Sequence, residues 1–283
     1  MTLFDRLKGK RVGVVLSAGF FGFYGHAGFV EGLFASGLDP ESWAGASAGG
    51  LVAAFAAAGM PAERIVELVL SQRREHFWDP DYLGIAVDAV KKGHRPSGLL
   101  SGRRFRSILE AALPVATFEA LPRPLILVAT NLTQRSSAVL TQGDLASAVH
   151  ATCAYPGLFQ AVRRDGELLW DGGLVDKAPL VALRESKAGS RLDAILVHYL
   201  PSRESASEPK GVWAWPSGLA AGVDALRRDH FRLQLKVLEA QGFPVYVVES
   251  RLPQVTPKQM GRGAEALAAG RQAAVDALAS RSW

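Results

Sequence analysis

Residues Gly45-Ala-Ser-Ala-Gly49 stand between a short apolar run and a long alanine-rich one. A serine with glycine two residues away on either side can occupy a very sharp strand-to-helix turn, where side chains at those positions would collide. The turn lifts the serine oxygen off the sheet edge and onto the start of the following helix. That helix end carries unpaired N–H groups and partial positive charge, which suit an oxyanion. The chemistry this predicts is acyl transfer through Ser47. Taken alone, the pattern is shared with ordinary small-residue turns at strand ends.

Two further segments carry groups that such chemistry needs. The loop Ser17-Ala-Gly-Phe-Phe-Gly-Phe-Tyr-Gly-His26 follows an apolar strand and leads into a helix. A loop of this kind can aim several backbone N–H groups at one point, as an oxyanion hole requires. It contains neither G-x-G-x-x-G nor G-x-x-x-x-G-K-[ST], which weighs against a nucleotide loop. In Trp170-Asp-Gly-Gly-Leu-Val-Asp-Lys-Ala-Pro179, an aspartate before two glycines can turn sharply and leave its carboxylate at the sheet edge. An ionised Asp171 there can take the serine proton as general base; the plain alternative is a common Asp-Gly turn. His198 and His230 follow Asp171, so the chain order Ser…Asp…His of a histidine triad is formally available. His198 ends an apolar strand and His230 lies in a charged helical stretch, contexts that favour structural or surface roles. The nucleophile also comes early, with about one strand ahead of its own.

The elements that must position these residues follow from the hydrophobic pattern. Strands are expected at 12–16, 42–46, 124–130, 137–140, 168–170, 193–199 and 244–249. Helices are expected at 26–36, 48–58, 62–74, 103–112, 144–153, 179–187, 216–240 and 258–280. Gly59 and Pro61 close the helix that begins after Ser47. The alternation predicts an α/β fold with a mostly parallel sheet covered on both faces. The polar run 201–211 reads as a linker before a mainly helical C-terminal part, and the expected strand at 244–249 argues for one domain over 1–283.

The chain has 283 residues, 48% of them hydrophobic and 21% charged, a globular composition that can bury a sizeable core. A net charge of +5 is a mild excess that weakly favours an anionic surface. The single cysteine, Cys153, excludes an internal disulfide and a cysteine-rich zinc cage, and fits a reducing, cytoplasmic setting. Residues 12–16 read as a buried strand rather than the core of a signal peptide, and no uncharged apolar run reaches membrane-spanning length.

The glycine loop, Gly45-Ala-Ser-Ala-Gly-Gly50, Ala151-Thr-Cys-Ala-Tyr-Pro-Gly-Leu-Phe159 and Asp171-Gly-Gly-Leu-Val-Asp176 together resemble the patatin-like phospholipases. Order and spacing match from about residue 11 to 200, and Ala268-Ala-Gly-Arg-Gln-Ala-Ala274 is similar to that family's last helix. The resemblance implies a three-layer α/β/α sandwich and a serine–aspartate dyad. Ser47 would be the nucleophile and Asp171 the base, with no catalytic histidine, metal or cofactor. It also implies hydrolysis of fatty-acyl esters, often of phospholipids. The chain departs from the family in the loop, which usually reads as three glycines, any residue, Arg or Lys, then Gly. Here Ala18, Gly19, Phe20, Phe21, Gly22 and Phe23 occupy those places, and Gly22 stands for the basic residue. The amides of Ala18, Gly19 and Phe20 are expected to form the oxyanion hole.

A lipid hydrolase must meet an interface. Phe20, Phe21, Phe23 and Tyr24 lie near the loop, and Trp213 and Trp215 follow the linker. Basic residues gather at Lys91, Lys92, Arg95, Arg103, Arg104 and Arg106, and at Arg227, Arg228 and Arg232. A basic and aromatic face docking on anionic membrane is the expectation, against a solvated helix face and core aromatics. No nucleic-acid motif is present. Rival readings are a small-ester esterase or thioesterase on the same scaffold, and a degenerate lipid-binding module without activity.

Overall fold

The computed structural model describes residues 1–82, 98–202, 214–256 and 259–283. Its strands are β1 (Val12–Leu16), β2 (Ser42–Gly45), β3 (Gly98–Leu100), β4 (Leu125–Asn131), β5 (Ser136–Leu140), β6 (Gly157–Phe159), β7 (Val162–Arg164), β8 (Glu167–Asp171), β9 (Ala194–Tyr199) and β10 (Val245–Glu249). Every residue of β1 is buried. Side chains alternate across a strand, so a strand buried throughout needs cover on both faces. Val12, Val14 and Leu16 join one apolar cluster with Trp43, Leu125, Leu127 and Leu196. Val15 joins the other with Ala44, Ile126, Ile195 and Val197.

Helices complete the outer layers. Phe23–Ala35, Ala48–Ala57, Ala62–Ser71 and Gly263–Ala279 supply Phe29, Val52, Ile65 and Leu267 to the first cluster. Leu180–Glu185 and Ala214–Ala240 supply Leu183, Phe231 and Leu238 to the second. The result is the three-layer α/β/α sandwich. Helix Gly263–Ala279 packs along Phe23–Ala35.

Among the described residues the main sheet has eight strands. β10, β9, β1, β2 and β4 run parallel, in that order, while β8 and β5 pair antiparallel with β4, and β7 pairs antiparallel with β8. One detail of register positions the site. β2 pairs with Leu125–Leu127 of β4, and β8 pairs with Ala129–Asn131. β5 pairs with Leu127–Asn131 and so overlaps both, which places it on the opposite edge. β2 and β8 therefore share one edge of β4, and their C-terminal ends point at each other across Val128. Ser47 leaves one end and Asp171 closes the other.

The longer expected strands and helices are present with ends shifted by a few residues; Gly263 starts the last helix five residues late. The three-residue strands β3, β6 and β7, and the helices Leu3–Leu7 and Arg74–Phe77, are too short to show periodicity. Most of the linker, with Trp213, Lys91, Lys92 and Arg95, lies outside the described residues. No helix among the described residues is long and apolar enough to cross a membrane.

Candidate active site

Ser47 has φ 53° and ψ −127°, backbone space that a side chain enters only under constraint. Its neighbours supply that constraint. The Ser47 N–H donates to Thr152 Oγ1 at 2.9 Å, and the Thr152 hydroxyl donates to the Val128 carbonyl at 2.6 Å. Cys153 Sγ–H donates to the Ser47 carbonyl at 3.2 Å. A Cβ on Gly49 would lie 2.2 Å from the Leu16 carbonyl oxygen, and one on Gly45 2.7 Å from the Gly49 carbonyl carbon. Both glycines are required because backbone passes where a side chain would be.

The Ser47 hydroxyl donates to Asp171 Oδ2 at 2.6 Å. Asp171 Oδ1 accepts the Gly173 N–H at 2.7 Å, its own N–H donates to the Ala154 carbonyl at 2.9 Å, and its carbonyl accepts the Thr130 hydroxyl at 2.7 Å. The residue is 3% exposed. Burial pushes its carboxyl up to about 6, against the pull of the Ser47 and Gly173 hydrogen bonds and the Arg227 charge. Arg227 Nη1 also donates to the Gly173 carbonyl at 3.0 Å, steadying the turn that holds the carboxylate. Such a carboxyl is ionised at neutral pH yet basic enough to accept a proton.

The segment 151–159 has a part that its sequence does not reveal. Thr152 and Cys153 grip the Ser47 backbone, and Ala154 grips Asp171. These are contacts across the fold, and no local pattern announces them. The Cys153 thiol is pushed well up, first by burial and then by the Asp171 charge, so it remains a protonated donor.

The glycine loop is looser. Ser17 N–H donates to the His198 carbonyl at 3.1 Å, and Gly22 N–H to the Gly19 carbonyl at 2.8 Å. Ala18, one of the three expected hole donors, already gives its N–H to the Lys177 carbonyl at 2.7 Å. It is therefore not available to an oxyanion. The N–H groups of Gly19 and Phe20 have no partner among the described residues, and neither does that of Ala48 at the start of its helix. Phe21 takes φ 55°. Phe20 is 59% exposed, with its ring 6.0 Å from that of Tyr155.

Beneath the loop lies a chain of buried polar groups. His26 Nε2 is 2.7 Å from the Ser17 carbonyl, His26 Nδ1 is 2.9 Å from His198 Nδ1, and His198 Nε2 is 2.8 Å from Ser250 Oγ. Burial pushes His26 down to about 4 and also pushes His198 well down from the ordinary imidazole value, so both rings are neutral. A carbonyl only accepts, so His26 Nε2 carries hydrogen and its Nδ1 accepts. His198 then donates through Nδ1 and accepts the Ser250 hydroxyl at Nε2. With both nitrogens engaged away from Asp171, His198 cannot complete a triad. His230 Nδ1 lies 3.9 Å from Asp176, not beside Asp171.

The expected docking groups are only partly available. Tyr24 is 1% exposed, and Phe21 and Phe23 are half-buried against the core, which leaves Phe20 among the expected aromatics whose side chains are described; those of Trp213 and Trp215 are not. Arg106 pairs with Glu110 and Asp144, Arg227 and Arg228 with Asp224, and Arg232 with Asp229. Arg104 donates to the Glu75 and Trp78 carbonyls, and Arg103 to Ser101. Among the described residues no group of three or more His, Cys, Asp or Glu could hold a metal ion.

Comparison with known proteins bears on the same segments. The patatin-like phospholipase family profile matches residues 14–184. An uncharacterised NTE family protein of Mycobacterium tuberculosis is 28% identical over 226 residues, which are 76% of this chain and 57% of that protein. The chain thus spans little more than half of that relative. A neuropathy target esterase of Drosophila grimshawi is 25% identical over 61% of this chain and 12% of its own. Among solved structures, VipD from Legionella pneumophila superposes with a TM-score of 0.49 at 15% identity, over 94% of this chain and 67% of that one.

Proposed function

The chain belongs to the patatin-like phospholipase family, and on that premise we propose that it is a lipid acyl hydrolase of phospholipase A type working through a Ser47–Asp171 dyad. The observation that carries the reading is the 2.6 Å hydrogen bond from the Ser47 hydroxyl to Asp171 Oδ2, made from a strained elbow with no imidazole between them. Asp171 takes the proton as Ser47 Oγ attacks the ester carbonyl. The Gly19, Phe20 and Ala48 amides receive the oxyanion, replacing the Ala18 donor. Asp171 returns the proton to the leaving alcohol or lysolipid. It then deprotonates water, which frees the fatty acid and restores Ser47. A named esterase among the relatives supports ester substrates. Exposed Phe20 and Tyr155 are the rim we assign to peripheral contact with the lipid surface.

A fluorophosphonate probe and mixed phospholipid vesicles test this together. The wild type is expected to label at Ser47 and to release fatty acid. Ser47→Ala should not label, and Asp171→Asn should lose about 10⁴-fold in kcat. Release by Ser47→Ala or Asp171→Asn at the wild-type rate sinks the dyad. Labelling of a wild type that cleaves soluble short esters but no vesicle lipid favours the small-ester esterase. A wild type that neither labels nor hydrolyses is the degenerate binding module.

A further inference from the structure

Helix Ala214–Ala240 is amphipathic twice over. One face, with Phe231, Gln234 and Leu238, is buried against the sheet. Another face is apolar and open: Leu219 is 63% exposed, Leu226 73%, Leu233 58% and Val237 39%. With half-buried Val223, partly exposed His230 and exposed Ala240, these residues follow an unbroken 4-3-4-3-4-3 spacing along 219, 223, 226, 230, 233, 237 and 240. At 100° per residue, Leu219, Leu226, Leu233 and Val237 fall within about 40° of one another. This is the narrow seam of a coiled coil, valine at one heptad position and leucine at the other, rather than the broad apolar face of a helix lying in a bilayer.

We propose that this seam joins two copies of the chain as an antiparallel helix pair. Charges beside it select the occupant and the register. Asp229 and Lys236 occupy the same heptad position on the open flank; the other flank, with Gln234, packs on the protein's own body. Antiparallel pairing sets the open flank of one helix against the open flank of its mate. With Leu226 opposite the partner's Val237 and His230 opposite the partner's Leu233, Asp229 faces the partner's Lys236, and the reverse pair forms by symmetry. Sliding by one heptad either way sets Asp229 against Asp229 or Lys236 against Lys236, which is repulsive. The existing Asp229–Arg232 contact is a 3.4 Å pair between well-exposed side chains and competes weakly.

The direction of the helix disfavours a membrane as occupant. Asp224 and Arg227 bond to Ser202 and Gly173 at the active-site end of the sheet, whereas Pro244, just past the helix, bonds to Ile195 at the opposite end. The seam therefore runs about 27 Å down the side of the molecule. A flat bilayer at the Phe20–Tyr155 rim would reach only its upper end.

Sedimentation equilibrium of the full chain, with and without anionic phosphatidylglycerol vesicles, tests this. The wild type should sediment at twice the chain mass. Leu226→Lys with Leu233→Lys should weaken association about 30-fold or more while leaving circular dichroism and fluorophosphonate labelling unchanged. Asp229→Lys and Lys236→Asp should each weaken the dimer, and the double swap should restore it. A monomeric wild type overturns the proposal, as does a dimer indifferent to both leucine changes. A monomer whose vesicle binding is lost with Leu226→Lys and Leu233→Lys assigns the seam to the membrane instead. None of these outcomes depends on whether the dyad reading holds.

Discussion

At Gly45 and Gly49, which flank Ser47, the close neighbours are backbone atoms, whereas at Gly19 in the glycine loop they are side-chain atoms. At the elbow a Cβ on Gly49 meets the Leu16 carbonyl, an atom fixed within β1. In the loop a Cβ on Gly19 meets only the Leu200 side chain, with Cδ1 nearest at 2.9 Å. The dyad half is positioned by sheet register, since β2 and β8 converge on one edge of β4. The loop half is positioned by one leucine, an amide given to Lys177 and the buried histidine chain. With the roles proposed above, a site built this way keeps nucleophile and base fixed while its oxyanion donors can adjust. That explains how two phenylalanines are tolerated where the related family carries glycine and any residue.

The sharpest way to break the contrast is a matched pair of alanines. Gly49→Ala must move backbone, so we expect a loss of about 3–5 kcal/mol of stability and activity below detection. Gly19→Ala needs only a new Leu200 rotamer, so it should cost under about 1.5 kcal/mol and lower kcat no more than about tenfold. Thermal unfolding and fatty-acid release on both variants decide it. Equal damage from the two would show that the loop is as rigid as the elbow. Leu200→Ala should relieve Gly19→Ala and do nothing for Gly49→Ala.

The second test concerns the cost of the fixed half. The Asp171 carboxyl is pushed from 3.8 to about 6 by burial. A raised folded value means the folded state holds the proton more tightly than the unfolded chain does. The associated stability is present below about pH 3.8 and is lost as pH rises through 6, to a limit of about 3 kcal/mol. Activity has the opposite slope, because the base must be ionised: kcat/KM should rise tenfold per pH step below 6 and level off above it. Asp171→Asn keeps an acceptor for the Gly173 N–H and carries no charge. It should therefore be inactive yet more stable than wild type at pH 8, with the gain fading towards pH 4. Denaturant titrations at the two pH values measure this. An unchanged or reversed difference would remove burial as the source of the shift.

The same contrast governs how much the sequence reveals. Gly45, Ser47 and Gly49 are legible because a sharp elbow needs three residue types at fixed local spacing. β1, β4 and β9 are legible because their apolar runs are long and flanked by turns. The Ser47–Asp171 pairing is legible only by family likeness, since it depends on two strands sharing an edge of a third. The loss of the Ala18 amide is not legible, because its acceptor is the Lys177 carbonyl and a backbone oxygen has no sequence signature. The roles of Thr152 and Cys153 are hidden for the same reason. Thr2-Leu-Phe-Asp5 did carry a signal for the first helix, a reciprocal capping box, but five residues show no hydrophobic period.

The smallest expected effect lies deepest under the loop. Ser17 precedes the open amides, and its carbonyl is held by His26, which is held in turn by His198 and Ser250. The chain has one consistent proton arrangement, with His26 protonated on Nε2 and His198 on Nδ1. Nitrogen-15 NMR of the imidazoles should report those two different tautomers. Ser250→Ala removes the donor to His198 Nε2 and leaves a buried acceptor unpaired, at a cost of about 1–3 kcal/mol. Because the chain ends at the loop and not at the dyad, Ser250→Ala should lower kcat only a few-fold, leave KM unchanged, and leave the pH 6 inflection of Asp171 in place. An inflection that moved with Ser250→Ala would mean that the two halves are electrostatically joined. The distinction between a register-fixed dyad and an adjustable hole would then fail at its base.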